Sequence, residues 1–190
     1  MVDAATYSAV ETLRDGRRVD IRAQRPDDQA ELLAAVARVS PQSLYRRFFA
    51  VKRGLTEQEV AYFLNIDFVD HVALVAALEE AGRPVIVGGA RYIVIGHGSA
   101  EVAFAVIDQY QGLGIGQALM RHLARIARDV GIRELIADVL PENNAMLRVF
   151  ANSGLPLTTD CESNVVPWCF GSTGRCECNA AQAFTIARPG

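Results

Sequence analysis

The chain has almost no lysine. Lys52 is the only one, so its 19 basic side chains are nearly all arginine, and 22 acids leave a formal net charge of -3. That balance gives no bulk electrostatic case for binding nucleic acid. No apolar run approaches the length of a membrane span. The opening M-V-D-A-A-T-Y-S-A-V-E-T-L carries acids and lacks the basic-then-apolar order of a leader, so the cytoplasm is the expected compartment. Cysteine is missing until Cys161, and the four cysteines (Cys161, Cys169, Cys176 and Cys178) lack the paired C-x-x-C spacing that zinc prefers, so no metal is expected. Internal repeats and low-complexity linkers are also missing. At 190 residues the chain is one domain by length and can bury a real core.

What is there centres on Glu101 to Gly131, which reads as strand, glycine turn and helix. Glu101 to Ile107 is apolar and rich in Val, Phe and Ile, as a buried strand should be. Gly112, Gly114 and Gly116 alternate with Leu113 and Ile115. Ile115, Leu119, Leu123, Ile126 and Val130 then recur at helical spacing, Arg121, Arg125 and Arg128 fall on the other face, and Gly131 is a stop. Glycines let backbone amides approach a ligand, and the helix start adds a partial positive charge, so the turn suits phosphate or pyrophosphate. A P-loop is excluded because Gly116 is followed by Gln117 and Ala118. A dinucleotide fingerprint fails too, since its third glycine would fall on Gln117 or Leu119. A packing turn without a ligand also wants glycines here.

The pattern that fits is Q-x-x-G-x-G over Gln111, Gly114 and Gly116, and it resembles motif A of the GNAT superfamily of acetyl-CoA-dependent N-acetyltransferases. P-E-N-N-A-M-L-R-V-F-A-N-S-G-L resembles the segment that follows the family's fifth strand. The resemblance implies an α/β (α+β) fold: a mixed central sheet, flanked by helices, whose fourth and fifth strands (here 101–107 and 135–140) splay apart for the pantetheine arm. It implies that Gln111, Gly112, Leu113, Gly114, Ile115, Gly116 and Gln117 hold the CoA pyrophosphate. Phe104 and Val106 would contribute strand contacts, the amide near Val106 would stabilise the tetrahedral intermediate, and Asn143 would bond the pantetheine arm. Phe150 stands where many members carry a tyrosine general acid, so that acid comes from elsewhere or from solvent.

An acceptor amine must lose a proton before it attacks, its reference pKa being about 10.4 for lysine. Glu101 resembles the fourth-strand glutamate that serves many GNAT enzymes as base. A strand-end carboxylate merely exposed to solvent is the plainer reading of the same residue. His71 and His97 are rivals near strand ends, and His122 reads as a surface residue on the long helix. No cysteine lies near the motif, so direct transfer without a covalent enzyme intermediate is expected.

The remaining elements follow in order. Residues 1–12 read as an N-terminal accessory segment, 13–158 as the acetyltransferase domain and 159–190 as a divergent tail holding every cysteine and Trp168. Val19–Ala23 is a strand. Asp27 or Asp28 caps a helix bearing Leu32, Leu33, Val36 and Val39. Ser40-Pro41 starts a second helix with Leu44, Tyr45 and Phe48 inward; Arg46 and Arg47 form a solvated face or meet an acidic substrate or a CoA phosphate. Thr56 and Glu59 make a capping box for a third, with Val60, Phe63 and Leu64 as its stripe. Strands at 71–78 and 85–95 follow, the latter bulged at Gly88-Gly89, and 141–151 is the last helix. In the tail, Asn164–Val166 starts a strand that Pro167 interrupts.

L-R-D-G-R-R-V-D-I-R, S-P-Q-S-L-Y-R-R-F-F, L-T-E-Q-E-V and H-V-A-L-V-A further resemble bacterial Pat-type protein lysine acetyltransferases, which implies a protein-lysine acceptor such as an acyl-CoA synthetase. A homodimer is compatible with that. The alternatives are an enzyme for a small amine (aminoglycoside, polyamine or amino acid) and a non-catalytic CoA-binding sensor. A wide groove would favour the first reading, and a closed acidic pocket the small cation.

Overall fold

The structure is a computed structural model that describes residues 3–52, 54–96, 98–156, 158–159 and 168–169, the last two pairs by backbone alone. Its main sheet has six strands in sequence order: β1 Ser8–Thr12, β2 Arg18–Ala23, β3 His71–Glu80, β4 Arg83–Gly96, β5 Ser99–Val106 and β6 Glu134–Ile136. Neighbours are antiparallel except β5 and β6, which are parallel. Helices α1 Gln29–Ala37, α2 Pro41–Phe48 and α3 Glu57–Leu64 lie between β2 and β3. Helix α4 Ile115–Asp129 bridges β5 and β6, and α5 Asn144–Ala151 follows β6. This is the mixed, helix-flanked α/β sheet expected.

β3 shows why the sheet sits mid-molecule. His71 to Leu78 are buried without alternation, as in a strand covered on both faces. α4 supplies one cover: Ile115, Leu119, Leu123 and Ile126 are at most 1% exposed, while Arg121, Arg125 and Arg128 face solvent. Val130, expected on the buried stripe, is 48% exposed because the helix ends at Asp129 and the chain turns out through Gly131 at φ 87°.

Other expectations are corrected. The N-terminal segment is not accessory where it matters: β1 pairs along its whole length with β2, and Glu11 ties it to α4 by accepting from Arg121 (2.7 Å) and His122 Nε2 (2.8 Å). His122 is therefore not a surface residue but a buried one, its Nδ1 meeting the Tyr7 hydroxyl. Asp28 does not cap α1 with its side chain; its carboxylate takes two 2.7 Å bonds from Arg22 and one from the Arg25 amide. Leu33 and Tyr45 face outward, at 40% and 41% exposure. The irregularity in β4 falls on Val87, the residue skipped between the pairs Ala76↔Gly88 and Ala77↔Ile86. Gly88 answers a different need: a Cβ there would sit 3.0 Å from Ala105 O and 3.3 Å from Ile115 Cγ2, so its smallness lets α4 close on the sheet.

β6 is much shorter than the expected 135–140. It pairs with β5 only from Ser99↔Glu134 to Glu101↔Ile136. Beyond Glu101 the two chains part, and that parting is the feature the site is built around. The Ser40 cap of α2 and the Thr56–Glu59 capping box of α3 form as the sequence requires. The expectations for His97, Cys161, Asn164–Val166, Pro167, Cys176 and Cys178 fall outside the described residues; Trp168–Cys169 pair by backbone with Thr158–Thr159. No helix among the described residues is long and apolar enough to cross a membrane.

Candidate active site

A cavity of about 860 Å³ occupies the gap where β5 and β6 separate. Three kinds of surface line it: a glycine turn, an open strand edge and a charged face beneath α2 and α3.

The turn is the most constrained. Gly112 (φ 79°) and Gly114 (φ 97°) adopt backbone conformations that L side chains rarely accept. Gly114 is the N-cap of α4, and no side chain caps it. The first helical bond runs from Ala118 N to Gly114 O, so the amides of Ile115, Gly116 and Gln117 have no partner within the helix. Gly116 is needed for space: a Cβ there would stand 3.2 Å from Val149 Cγ2 on α5. Gln111 steadies the turn by donating to Val106 O at 3.0 Å and Ser43 Oγ at 3.3 Å. Arg14, from the β1–β2 turn, locks it from outside: its amide donates to Leu113 O (3.1 Å) and its guanidinium to Gly112 O (3.2 Å).

The strand edge follows from alternation. Successive peptide groups of a strand point to opposite edges. Ile107 N–H donates to Val87 O on β4, so the amides of Phe104 and Val106 point the other way, to the edge β6 has left. Across the gap Asn143 caps α5, its Oδ1 accepting from Met146 N at 3.3 Å, which leaves its amide nitrogen for a ligand. Phe150 is fully buried and packs edge-to-face on Phe104 at 5.9 Å. It brings no hydroxyl to the cavity.

The charged face gathers residues from three strands, two helices and the segment after β6. Register places His71, Arg91 and Glu101 on one face of β3, β4 and β5, through the pairs His71↔Ile93 and Ile93↔Glu101. Arg47 and Phe63 approach from α2 and α3, and Asp138 from beyond β6. Glu101 is open to solvent through the cavity, yet its pKa is raised: desolvation by the cavity walls contributes most, then the Asp138 carboxylate, while Arg47 opposes both. Asp138 is raised by desolvation as well. His71 is a poor rival as base. Its Nδ1 donates to Asn65 O at 3.1 Å, so its lone pair is on Nε2, and Arg91 Nη1 donates to that lone pair at 3.1 Å. Burial first, then Arg91, push its pKa down.

Of the residues picked from sequence, Glu101, Phe104, Val106, Gln111, Gly112, Gly114, Ile115, Gly116, Gln117 and Asn143 all line this one cavity; Leu113 does not, and packs against the core instead. Sequence reading missed Arg14, Ser43, Arg91 and Asp138. For two of them a signal exists: Arg91 interrupts an apolar strand and Asp138 the apolar run that continues past β6, where an unexplained charge is uncommon.

A splayed parallel pair with a glycine-built helix start in its gap is the arrangement of the GNAT fold, and the match to that family makes this an N-acetyltransferase that takes its acetyl group from acetyl-CoA. The chain belongs to the GNAT family: the Acetyltransferase (GNAT) family profile matches residues 40–155. Acetyltransferase PA5475 of Pseudomonas aeruginosa is 35% identical over 138 residues, 72% of this chain and 74% of that protein. Acetyltransferase Pat of Mycolicibacterium smegmatis is 35% identical over 144 residues, 75% of this chain but only 42% of that longer protein. Among solved structures, the GNAT domain of S. lividans PAT superposes with a TM-score of 0.78 at 38% identity, over 86% of this chain and 96% of that domain.

Proposed function

We propose that this chain acetylates the side-chain amine of lysine in a protein. The observation that carries the reading is the character of the cavity: it is about 860 Å³, and Arg46, Arg47 and Arg91 are among its lining residues. A polyamine or aminoglycoside would bring several positive charges against these guanidiniums. A lysine presented by a protein surface brings one, and sheds it before reacting. The likeness to two Pat proteins at 35% and 38% identity supports the same choice.

The residues fit acetyl-CoA. The uncapped start of α4 offers amides and a helix dipole to the pyrophosphate, the missing Cβ of Gly116 makes room, and Arg14 adds the cation that the turn itself lacks. The open edge at Phe104 and Val106 suits the amide-rich pantetheine arm, with Asn143 opposite. Bound there, acetyl-CoA supplies an activated acetyl group and a thiolate leaving group. Glu101 takes the proton that the acceptor ammonium must lose, directly or across one water; its raised pKa makes it a better base than an ordinary carboxylate. The β5 amides hold the acyl oxygen against the sheet and favour negative charge on it. Phe150 has no proton to give, so the departing sulfur is protonated from solvent.

The test is acetyl-CoA calorimetry followed by mass spectrometry of candidate protein acceptors, acyl-CoA synthetases first. Acetyl-CoA binding with acetylation at discrete lysines is the expected result. Acetylation of free polyamines in preference to any protein would overturn the acceptor assignment.

A further inference from the structure

Among the described residues, two arginines in the cavity have no carboxylate within ion-pair distance. Arg47 enters from α2 and Arg91 from β4, both lining the space that holds Glu101. Neither takes part in an ion pair among the described residues. Aromatic faces hold them in place: Arg47 Cζ lies 4.9 Å from the Phe48 ring centroid, and Arg91 Cζ 4.1 Å from that of Phe63. Each guanidinium has five N–H donors. Arg91 spends one on His71 Nε2, and Arg47 makes no hydrogen bond among the described residues.

These are not free surface cations. Desolvation lowers the pKa of both, Arg91 to about 9 with the Arg47 charge adding to the effect. Two guanidiniums that repel one another in a partly dry cavity are costly unless a ligand settles them. Glu101 attracts Arg47, but from beyond ion-pair distance. The planar fork of arginine matches a carboxylate. Phosphate suits the place less well, because the carboxylates of Glu101 and Asp138 already line the cavity and would repel a dianion more strongly than a monoanion.

We propose that Arg47 and Arg91 form a carboxylate-binding subsite beside Glu101, so that transfer is fastest when a carboxylate accompanies the reacting groups. The proposal rests on the acetyltransferase reading with Glu101 as base. The carboxylate has two sources: an Asp or Glu next to the acceptor lysine, or the distal carboxylate of a dicarboxylic acyl donor such as succinyl-CoA.

The experiment measures kcat/KM with the full chain in two arms. One compares lysine peptides carrying Asp or Glu beside the lysine with their Asn or Gln counterparts, using acetyl-CoA. The other compares succinyl-CoA with acetyl-CoA on a neutral peptide. Both are run on wild type, Arg47→Gln, Arg47→Lys and Arg91→Gln. A charge-assisted, two-pronged contact predicts a preference of about 10-fold or more in one arm. Arg47→Gln should reduce it to about twofold, and Arg47→Lys should restore part of it. Arg91→Gln disturbs His71 and Phe63 as well, so the decision falls on the Arg47 variants. A preference in the peptide arm places the carboxylate on the acceptor; one in the donor arm places it on the acyl group. No preference in either arm, or one that survives Arg47→Gln unchanged, overturns the subsite. Calorimetry of acetyl-CoA on wild type separates this from failure of the underlying reading, because a protein that does not bind acetyl-CoA at all refutes the cofactor assignment instead.

Discussion

The two walls of the cavity are made of different material. The cofactor wall is backbone: amides at the start of α4, an unpaired edge of β5, and glycines that remove side chains from the way. The acceptor wall is side chain: Arg47, Arg91, Glu101 and Asp138, brought from α2, β4, β5 and the segment after β6. A backbone site recognises what every reaction of the family shares, and it tolerates sequence change as long as glycine geometry survives. A side-chain site can be rewritten residue by residue, so it is where the substrate of one member is decided. Changes in the first wall should therefore abolish binding of the donor, and changes in the second should redirect or slow transfer while the donor still binds.

The largest effect tests the first half of that contrast. Gly114→Glu places a carboxylate at the uncapped helix start, where Arg14 Nε lies only 3.9 Å from the position its Cβ would take. The new side chain pairs with Arg14 and seals the site with its own charge. Acetyl-CoA affinity measured by calorimetry should fall by about 100-fold or more, since like charges at an interface cost several kcal/mol. Gly114→Ala adds no charge, but at φ 97° it carries strain of about 1–2 kcal/mol. It should weaken binding far less than the glutamate. Equal losses in the two variants would mean that the turn matters for folding and not for charge.

Glu101→Gln tests the second half. It keeps shape and removes the base, so kcat should fall by about 10²–10⁴-fold while calorimetry still registers acetyl-CoA. A parallel loss of donor binding would erase the distinction between the walls.

The same contrast explains what the sequence could reveal. Gly112, Gly114 and Gly116 are legible because backbone demands leave a local mark: positive φ and close packing exclude other residues at fixed spacing. The α4 stripe and the caps at Ser40 and Thr56 are legible for the same reason, since each is settled within one or two helical turns. The acceptor wall is not local. Arg91 meets His71 only because β3 and β4 pair in one register, and that register includes an extra residue at Val87 that no propensity announces. His122 looked exposed because its neighbours Arg121 and Arg125 are; its burial depends on β1, a strand more than a hundred residues away whose pairing the sequence pattern did not show. The end of β6 leaves no mark in the sequence, because Ala137 and Val139 remain buried after the strand pairing has ended.

Arg14 lies at the border of the two walls, as a side chain serving a backbone site. Arg14→Ala should weaken acetyl-CoA by about fivefold, the range of one solvent-screened charge contact, and leave acetyl-pantetheine, which lacks the pyrophosphate, unaffected. Equal weakening of both ligands would mean that Arg14 acts only through its bonds to Gly112 and Leu113, by holding the turn in shape.

The smallest effect is the most discriminating, because its sign is set by geometry. Glu101 must be ionised to accept a proton, so kcat/KM should rise with pH through its raised pKa, and the acid limb should lie above the ordinary carboxylate range. Asp138 is one cause of that rise, and Arg47 opposes it. Asp138→Asn should therefore move the acid limb to lower pH, and Arg47→Gln should move it to higher pH. A variant that merely loosened the fold would admit water, weaken desolvation and lower the limb in both cases. Opposite displacements exclude that account and assign the titration to Glu101. A displacement of both limbs to lower pH would leave Arg47 with no electrostatic hold on the base, and the acceptor wall would then be a set of separate side chains with no shared charge network.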